Sequence, residues 1–358
     1  MRYRVGELVD SISKKCDFKT DKIIFLNTGD IEDGKIVNNN CYKISDLPGQ
    51  AKKKIKNGDI LFSEIRPKNK RYALVENIDE TNYVVSTKLM VLRNKDSKVL
   101  NMKYFYYFLT SPKMLRYLQS EAEARSGTFP QITFKDNIYP ITINLPSLAE
   151  QNKIVKNIDS IVNKIKNNQK INTNLFELAN IIFQQSFNCN GNIPLSHYFL
   201  PKRGKNLLKK NVEPGAVPVV AGGLKPAAYH NISNTETPVI TISASGANAG
   251  YVQIWGQKVW SSDSSYIDSS ITDNIYFWYI FLKSRQKQIF DAQTGSAQPH
   301  IYPKHIGNLL ISELDEEQVQ SFNKKVTPIF EKIFQNQKNN SVMEDVKNSL
   351  LYKFFNDY

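Results

Sequence analysis

Cysteine is scarce in this chain: Cys16, Cys41 and Cys189 are the three present in 358 residues. Odd in number and far apart, they exclude a disulfide framework and point to a reducing compartment. The four histidines, His197, His230, His300 and His305, show no paired Cys/His spacing of a zinc site. Nor do they stand with a nucleophile and an acid in a recognisable catalytic order. Long apolar runs are missing as well; none approaches the roughly 20 residues of a membrane-spanning helix. The opening Met1-Arg2-Tyr3-Arg4-Val5-Gly6-Glu7 has no apolar core of a signal peptide, so a cytoplasmic location and no membrane partner are expected. Neither Gly-Lys-Ser/Thr nor G-x-G-x-x-G occurs, which removes the two commonest phosphate-binding loops. Acidic residues are in deficit: 34 Asp+Glu against 47 Lys+Arg give a formal charge of +13 and a pI of about 9.3. That balance attracts polyanions. No low-complexity tract interrupts the chain, its length is ample for two cores, and fraying is expected in the last few residues alone.

What is present is a repetition. Ser126-Gly127-Thr128-Phe129-Pro130-Gln131-Ile132 precedes Leu145-Pro146-Ser147-Leu148-Ala149-Glu150-Gln151, and about 168 residues later Thr294-Gly295-Ser296-Ala297-Gln298-Pro299-His300-Ile301 precedes Ile311-Ser312-Glu313-Leu314-Asp315-Glu316-Glu317-Gln318. Upstream, the aromatic runs Tyr104–Phe108 and Tyr276–Phe281 correspond, as do Val84-Val85-Ser86-Thr87 and Val259-Trp260-Ser261-Ser262, and Ile60-Leu61-Phe62-Ser63 and Val239–Ser243. A period this long duplicates whole domains and excludes solenoids built on repeats of about 20–50 residues. Each unit reads as strands, an aromatic helix, a Gly-Ser/Thr loop, proline, a short strand and a long polar helix. Either the duplication carries no functional meaning, or two tandem modules suit a ligand with two parts.

In the first unit, Asp33-Gly34 marks a hairpin, Leu47-Pro48-Gly49 another turn, and Asn57-Gly58-Asp59 opens the buried strand Ile60-Leu61-Phe62. The loop that follows places Arg66, Lys68, Lys70 and Arg71 around Pro67. It is the best phosphate-contacting candidate of this unit, or else an ordinary solvated loop. The second unit has Lys202, Arg203, Lys205, Lys209 and Lys210, then the small polar stretch from Ser243 to Tyr251. That stretch is a tight turn on a recognition face or merely a turn. Trp255, Trp260, Tyr251 and Tyr266 around it read as packing rather than as base-stacking platforms.

Two long helices are expected. Ser147 and Glu150 form a capping box, after which Ile154, Ile158, Ile161, Ile165, Asn168, Asn172, Leu175, Ala179 and Ile182 keep a heptad spacing. A helix from about 148 to 187 is about 60 Å long. Val319, Phe322, Val326, Ile329, Ile333, Asn336, Asn340 and Met343 repeat the seam. Each seam carries two asparagines that set register, and the two helices suit one another as partners, unless each packs on its own domain alone. Pro328 is expected to kink the second helix or displace its start.

These features together resemble a known family. Leu145–Gln151, with a Gly-Ser/Thr loop and proline before it and a long helix after it, resembles the helix entry in specificity subunits of type I restriction-modification systems. Gly58–Pro67 resembles the middle strands of a target recognition domain of that family. Val217–Gly223, Tyr229-His230-Asn231 and Ser245–Gly250 resemble another type of target domain. The resemblance runs in order along nearly the whole chain. It departs at Ser312-Glu313-Leu314, which lacks the Leu-Pro pair, and at Pro328.

The resemblance implies an α+β fold with two tandem target recognition domains, mostly β with short helices. Two long helices separate and join them as an antiparallel coiled coil, a pseudo-two-fold internal repeat. The divisions are 1–145 and 191–312 for the domains, 146–190 for the central helix and 313–358 for the distal one. It implies a bipartite double-stranded DNA target, docking of two methyltransferase subunits, and through them restriction and motor subunits. It also implies no catalysis by this chain, which carries no Asn/Asp-Pro-Pro-Tyr/Phe methyltransferase motif. S-adenosylmethionine would be bound by the partner and the target adenine flipped out; this chain would hold no cofactor and no metal. Phosphate contacts are expected from Arg66, Lys68, Lys70, Arg71, Lys88, Lys202, Arg203 and Lys205. Base edges are within reach of Arg125, Ser126, Thr128 and Gln131 in one unit, and Ser245, Asn248, Ser296, Gln298 and His300 in the other. Helix pairing and subunit docking fall to Ile154, Ile158, Ile161, Ile165, Leu175, Phe322, Val326 and Ile333. Two other readings stand beside this one: a duplicated nuclease, for which no carboxylate cluster is found, and a scaffold or decoy that binds a methyltransferase without reading DNA.

Overall fold

The computed structural model describes residues 1–15, 20–125, 128–188, 190–295 and 298–356. Cys16, Cys189, Ser126 and Ser296 lie outside the described residues. In chain order the helices are α1 (Val5–Leu8), α2 (Met102–Leu109), α3 (Pro112–Arg125), α4 (Leu148–Ser186), α5 (Ile275–Ser284), α6 (Gln286–Asp291), α7 (Pro303–Gly307) and α8 (Glu316–Phe355). The fold is α+β. Contacts divide the chain into two units, Met1–Ile165 with Ser341–Tyr358, and Lys166–Asn340. Among the described residues no helix is long and apolar enough to cross a membrane.

The units share one topology. In the first, an antiparallel sheet has the order Val9–Ser11, Leu89–Asn94, Ile60–Ser63, Tyr72–Leu74. In the second, the order is Lys202–Arg203, Ser264–Asp268, Val239–Ser243, Val252–Trp255. The centre strands Ile60–Ser63 and Val239–Ser243 are buried at every residue, with the buried polar residues Ser63, Thr241 and Ser243 among them. A further sheet in each unit contains a parallel pair: Tyr83–Ser86 beside Lys22–Leu26, and Trp260–Ser261 beside Val217–Val220. A short antiparallel pair closes each unit, Arg2–Arg4 with Thr142–Asn144 and Ile193–Pro194 with Leu310–Ile311. The expected hairpin is present: Asp33 and Gly34 both take positive φ, +44° and +84°, as a two-residue turn with right-handed strands requires.

One expectation needs correction. Between the last strand of the large sheet and the Gly-Ser/Thr loop each unit has two helices, where the aromatic runs alone suggest one. Pro112 ends the aromatic pattern of α2 and at the same time opens α3, where a missing N–H costs nothing. Buried Met114, Leu115, Leu118, Gln119 and Ala122 give α3 its inner face.

Both long helices form. Glu150 donates its backbone N–H to Ser147 Oγ at 3.3 Å, while the Glu150 carboxylate pairs with Lys153 at 3.9 Å. Gln151, wholly buried, accepts from the Asn101 N–H at 2.8 Å and donates to the carbonyls of Val99 and Pro146. This residue of the helix-entry motif therefore ties α4 to the start of α2. The start of α8 is capped by Asp315 Oδ1, which accepts from the N–H of Glu317 at 2.9 Å. Pro328 neither breaks α8 nor displaces its start. It lies on the exposed side, where the carbonyl deprived of its donor reaches water.

In the first unit, Ile154, Val155 and Ile158 of α4 share a core with Leu351 and Phe355 of α8. Phe355 meets Tyr104 and Phe108 edge-on at 5.2 and 6.1 Å. The chain is packed up to Asn356, whose carbonyl accepts from Lys113 Nζ, and residues 357–358 lie outside the described ones.

In the second unit α4 and α8 run antiparallel. Asn168 donates to Asn340 at 2.8 Å, Asn336 to Asn172 at 2.8 Å, and Phe183 faces Phe322. The asparagines pair with each other, which accounts for their matched spacing. Replacing buried Asn336 by alanine leaves the Asn172 oxygen without its donor and is expected to cost about 1–3 kcal/mol. Leucine at both positions should restore most of that stability in chemical denaturation.

Candidate nucleic-acid interface

In both units the loop that leaves the buried centre strand is clamped by the segment around the proline of the Gly-Ser/Thr loop. In the first unit, the Arg66 N–H donates to the Pro130 carbonyl at 3.0 Å and the Ile132 N–H to the Glu64 carbonyl at 2.8 Å. Ile65 and Gln131 thereby form a bridge. In the second, the Gly246 N–H donates to the Pro299 carbonyl at 3.0 Å and the Ile301 N–H to the Ala244 carbonyl at 2.9 Å, so that Ser245 and His300 form the matching bridge. The loops singled out separately from sequence are brought together by the same hydrogen bonds, twice. The bend needs left-handed backbone in both, at Arg66 (φ +45°) and Gly246 (φ +80°).

Helix α3 supports the first clamp. Gln119 Oε1 accepts from the Lys68 N–H at 3.0 Å, and Glu123 pairs with Lys68 Nζ at 3.7 Å. Arg66 and Lys88 point exposed side chains into solvent with no ion pair among the described residues. Exposed Thr128 and Gln131 complete the rim. Lys70 pairs with Asp33 at 3.4 Å. Arg71 is half-buried, donating to the Ile31 carbonyl at 2.9 Å and facing Glu32, so its guanidinium is occupied with the Asp33-Gly34 hairpin. Arg125 is misplaced by the sequence reading. It ends α3 rather than lying in a loop, and donates to Asp136 at 2.8 Å and Asn137 at 3.2 Å. One cation was missed: Lys53 Nζ donates to the Leu89 carbonyl at 2.8 Å. Burial holds its pKa below the usual lysine value, nearby Glu64 opposes that shift and Lys88 adds to it. Its position between Glu64 and Lys88 depends on strand pairing and leaves no mark in local sequence.

In the second unit, Gly246 and Gly250 (φ +86°) make Ser243–Tyr251 a tight turn, closed by the Gly250 N–H on the Ser243 carbonyl at 2.7 Å. Asn248 donates to the Gly222 carbonyl at 3.3 Å. Ser245 donates to Asp263, which also accepts from Arg203 at 2.7 Å. Lys205 is exposed, Lys202 donates to Ser270 at 3.2 Å, and the His300 ring stacks over Tyr302. Gln298 is exposed. The tryptophans are packed and bonded: Trp255 Nε1 donates to Thr241 Oγ1 and Trp260 Nε1 to the Lys205 carbonyl, each at 2.8 Å. Among the described residues no group of three or more His, Cys, Asp or Glu is placed to hold a metal.

The seam residues lie inside their units. Ile154 and Ile158 are in the first core, Ile165 is buried and Ile161 half-buried; Phe322, Val326 and Ile333 are in the second core with Leu175 against them. Their side chains are spent on packing within the chain and are not presented to a second one.

Residues 1–176 match the family described as the type I restriction modification DNA specificity domain. Over these residues the chain resembles that family. The chain also aligns with the HindI specificity subunit of Haemophilus influenzae, a type I restriction enzyme subunit, at 42% identity over 186 residues. That alignment covers 52% of the chain and 40% of the relative. The S subunit of a type I restriction-modification system from M. genitalium has the same fold, with a TM-score of 0.57 at 19% identity, over 99% of this chain and 96% of that one.

Proposed function

We propose that the chain is the DNA-recognition subunit of a type I restriction-modification complex. The bodies within 1–145 and 191–312 each read one half of a split double-stranded site. The segments 146–190 and 313–358 connect them and carry two methyltransferase subunits, through which restriction subunits join. The chain performs no chemistry; S-adenosylmethionine is held by the methyltransferase, which flips the target adenine from the duplex. The observation that carries this reading is the match of residues 1–176 to the DNA specificity family. The same clamp around Pro299 extends it to a second half-site. With the helix seam buried, α4 offers a partner its outward apolar residues Ile171, Leu178 and Ile181.

The test is co-purification with the methyltransferase encoded alongside, followed by mapping of modified adenines. A split motif with an unread gap is expected; a complex without a motif would leave a scaffold or decoy. Exposed Arg66, Lys68 and Lys88 serve as phosphate contacts, which position the duplex without reading it. Changing all three to glutamine should weaken binding of every sequence alike. The slope of log K against log salt should become shallower by about 2–3. A titration of labelled duplex between about 50 and 200 mM salt measures this, and an unchanged slope refutes the assignment.

A further inference from the structure

Lys88 and Asp263 hold equivalent places in the two units. Each lies two residues beyond the serine that ends the short parallel strand, Ser86 or Ser261. Each accepts, through its backbone carbonyl, the N–H of the first residue after the buried centre strand: Glu64 to Lys88 and Ala244 to Asp263, both at 3.1 Å. One position on the clamped face thus carries a cation in one unit and an anion in the other.

A carboxylate at a phosphate-contacting position would repel the backbone it meets. Asp263 is therefore suited to something other than a phosphate. Its two oxygens accept from Arg203 at 2.7 Å and from Ser245 Oγ. The Arg203 and Asp263 side chains are 42% and 35% exposed, and a pair so open to solvent contributes little to stability. It nevertheless stands at the mouth of the turn, with an acceptor-only group beside a donor-only fork. The major-groove edge of a G·C pair presents the complementary pattern: the cytosine N4 amine donates, and guanine O6 and N7 accept from arginine. The carboxylate has lone pairs beyond those used by Arg203 and Ser245, and the Arg203 N–H groups other than the one on Asp263 have no partner among the described residues.

We infer that Arg203 and Asp263, with Ser245 fixing the carboxylate, read a G·C base pair in the half-site contacted by the second unit. This rests on the recognition function proposed above. The unit-one counterpart Lys88 lacks the acceptor and contacts phosphate.

The test maps modified adenines for the full chain co-purified with its methyltransferase, as wild type, Asp263→Asn, Arg203→Lys and Lys88→Met. Asp263→Asn keeps the shape and a Ser245 hydrogen bond, and Arg203→Lys keeps the charge without the fork. Each should relax discrimination about tenfold at one G·C pair of one half-site, leaving the other half and the melting temperature unchanged. Lys88→Met should weaken binding without changing the sequence read in either half. The inference is overturned by a wild-type motif without G·C in the affected half, by undiminished stringency in both Arg203 and Asp263 variants, or by equal loss at all positions, the mark of a structural role. A wild type with no split motif removes the proposed function and the inference with it.

Discussion

Phe277→Ala is expected to cost about 3–5 kcal/mol, the range for emptying a buried aromatic site, and to abolish the half-site that we propose the second unit reads. Phe277 is fully buried in α5. Its ring lies 5.4 Å from Phe183, 4.9 Å from Phe187, 6.2 Å from Phe322 and 5.0 Å from Trp278. One side chain therefore joins the end of α4, the start of α8 and the aromatic helix. Each well-oriented ring pair adds about 0.5–1.5 kcal/mol beyond area burial, and alanine forfeits all of them at once. Because α5 packs on the strand pair that carries the 243–251 turn, loosening it releases the face on which Ser245 and Asp263 stand. All three tryptophans, Trp255, Trp260 and Trp278, belong to this unit, so tryptophan fluorescence during denaturation isolates its stability. A loss under about 1 kcal/mol would mean that this cluster collapses around the cavity, and that the face does not depend on it.

The repeat was legible in sequence because both copies kept their local chemistry. Pro130 and Pro299, Ser86 and Ser261, and the runs at Ile60 and Val239 mark elements whose form is set within a few residues. The heptad asparagines were legible for the same reason, as period and residue type are local. What stayed hidden is what strand pairing brings together. Asp263 lies 60 residues from Arg203 and 18 from Ser245, and nothing in the spacing distinguishes it from other aspartates. Arg125 read as a free donor because its partners Asp136 and Asn137 lie beyond the loop. Phe355 drew no attention in sequence, although it fills the core beside Tyr104 after a return of about 250 residues. Local patterns gave the elements and their order, while the side-chain commitments that separate a free cation from an occupied one required the fold.

The same distinction explains Asp59. It belongs to the Gly58–Pro67 run that resembles a recognition domain, and an acid at such a place invites a functional role. The fold gives it a structural one: its side chain is 1% exposed. Its two oxygens accept from Arg93 Nε and Nη2, each at 2.7 Å, and Oδ2 also accepts from the Lys56 N–H at 2.7 Å. Asp59 stands immediately before the centre strand Ile60–Ser63, and Arg93 lies on the neighbouring strand Leu89–Asn94. The pair thus bridges the two strands beside which Glu64 and Lys88 lie. Arg93→Met removes the countercharge and leaves a carboxylate in the interior, at an expected cost of about 3–5 kcal/mol. The double change Asp59→Leu with Arg93→Leu removes both charges, and a buried pair replaced by apolar groups is often neutral. The double variant should therefore recover most of what Arg93→Met loses. Denaturation followed by circular dichroism decides it: if the double variant is as unstable as the single one, the pair supplies strand register and not merely charge balance.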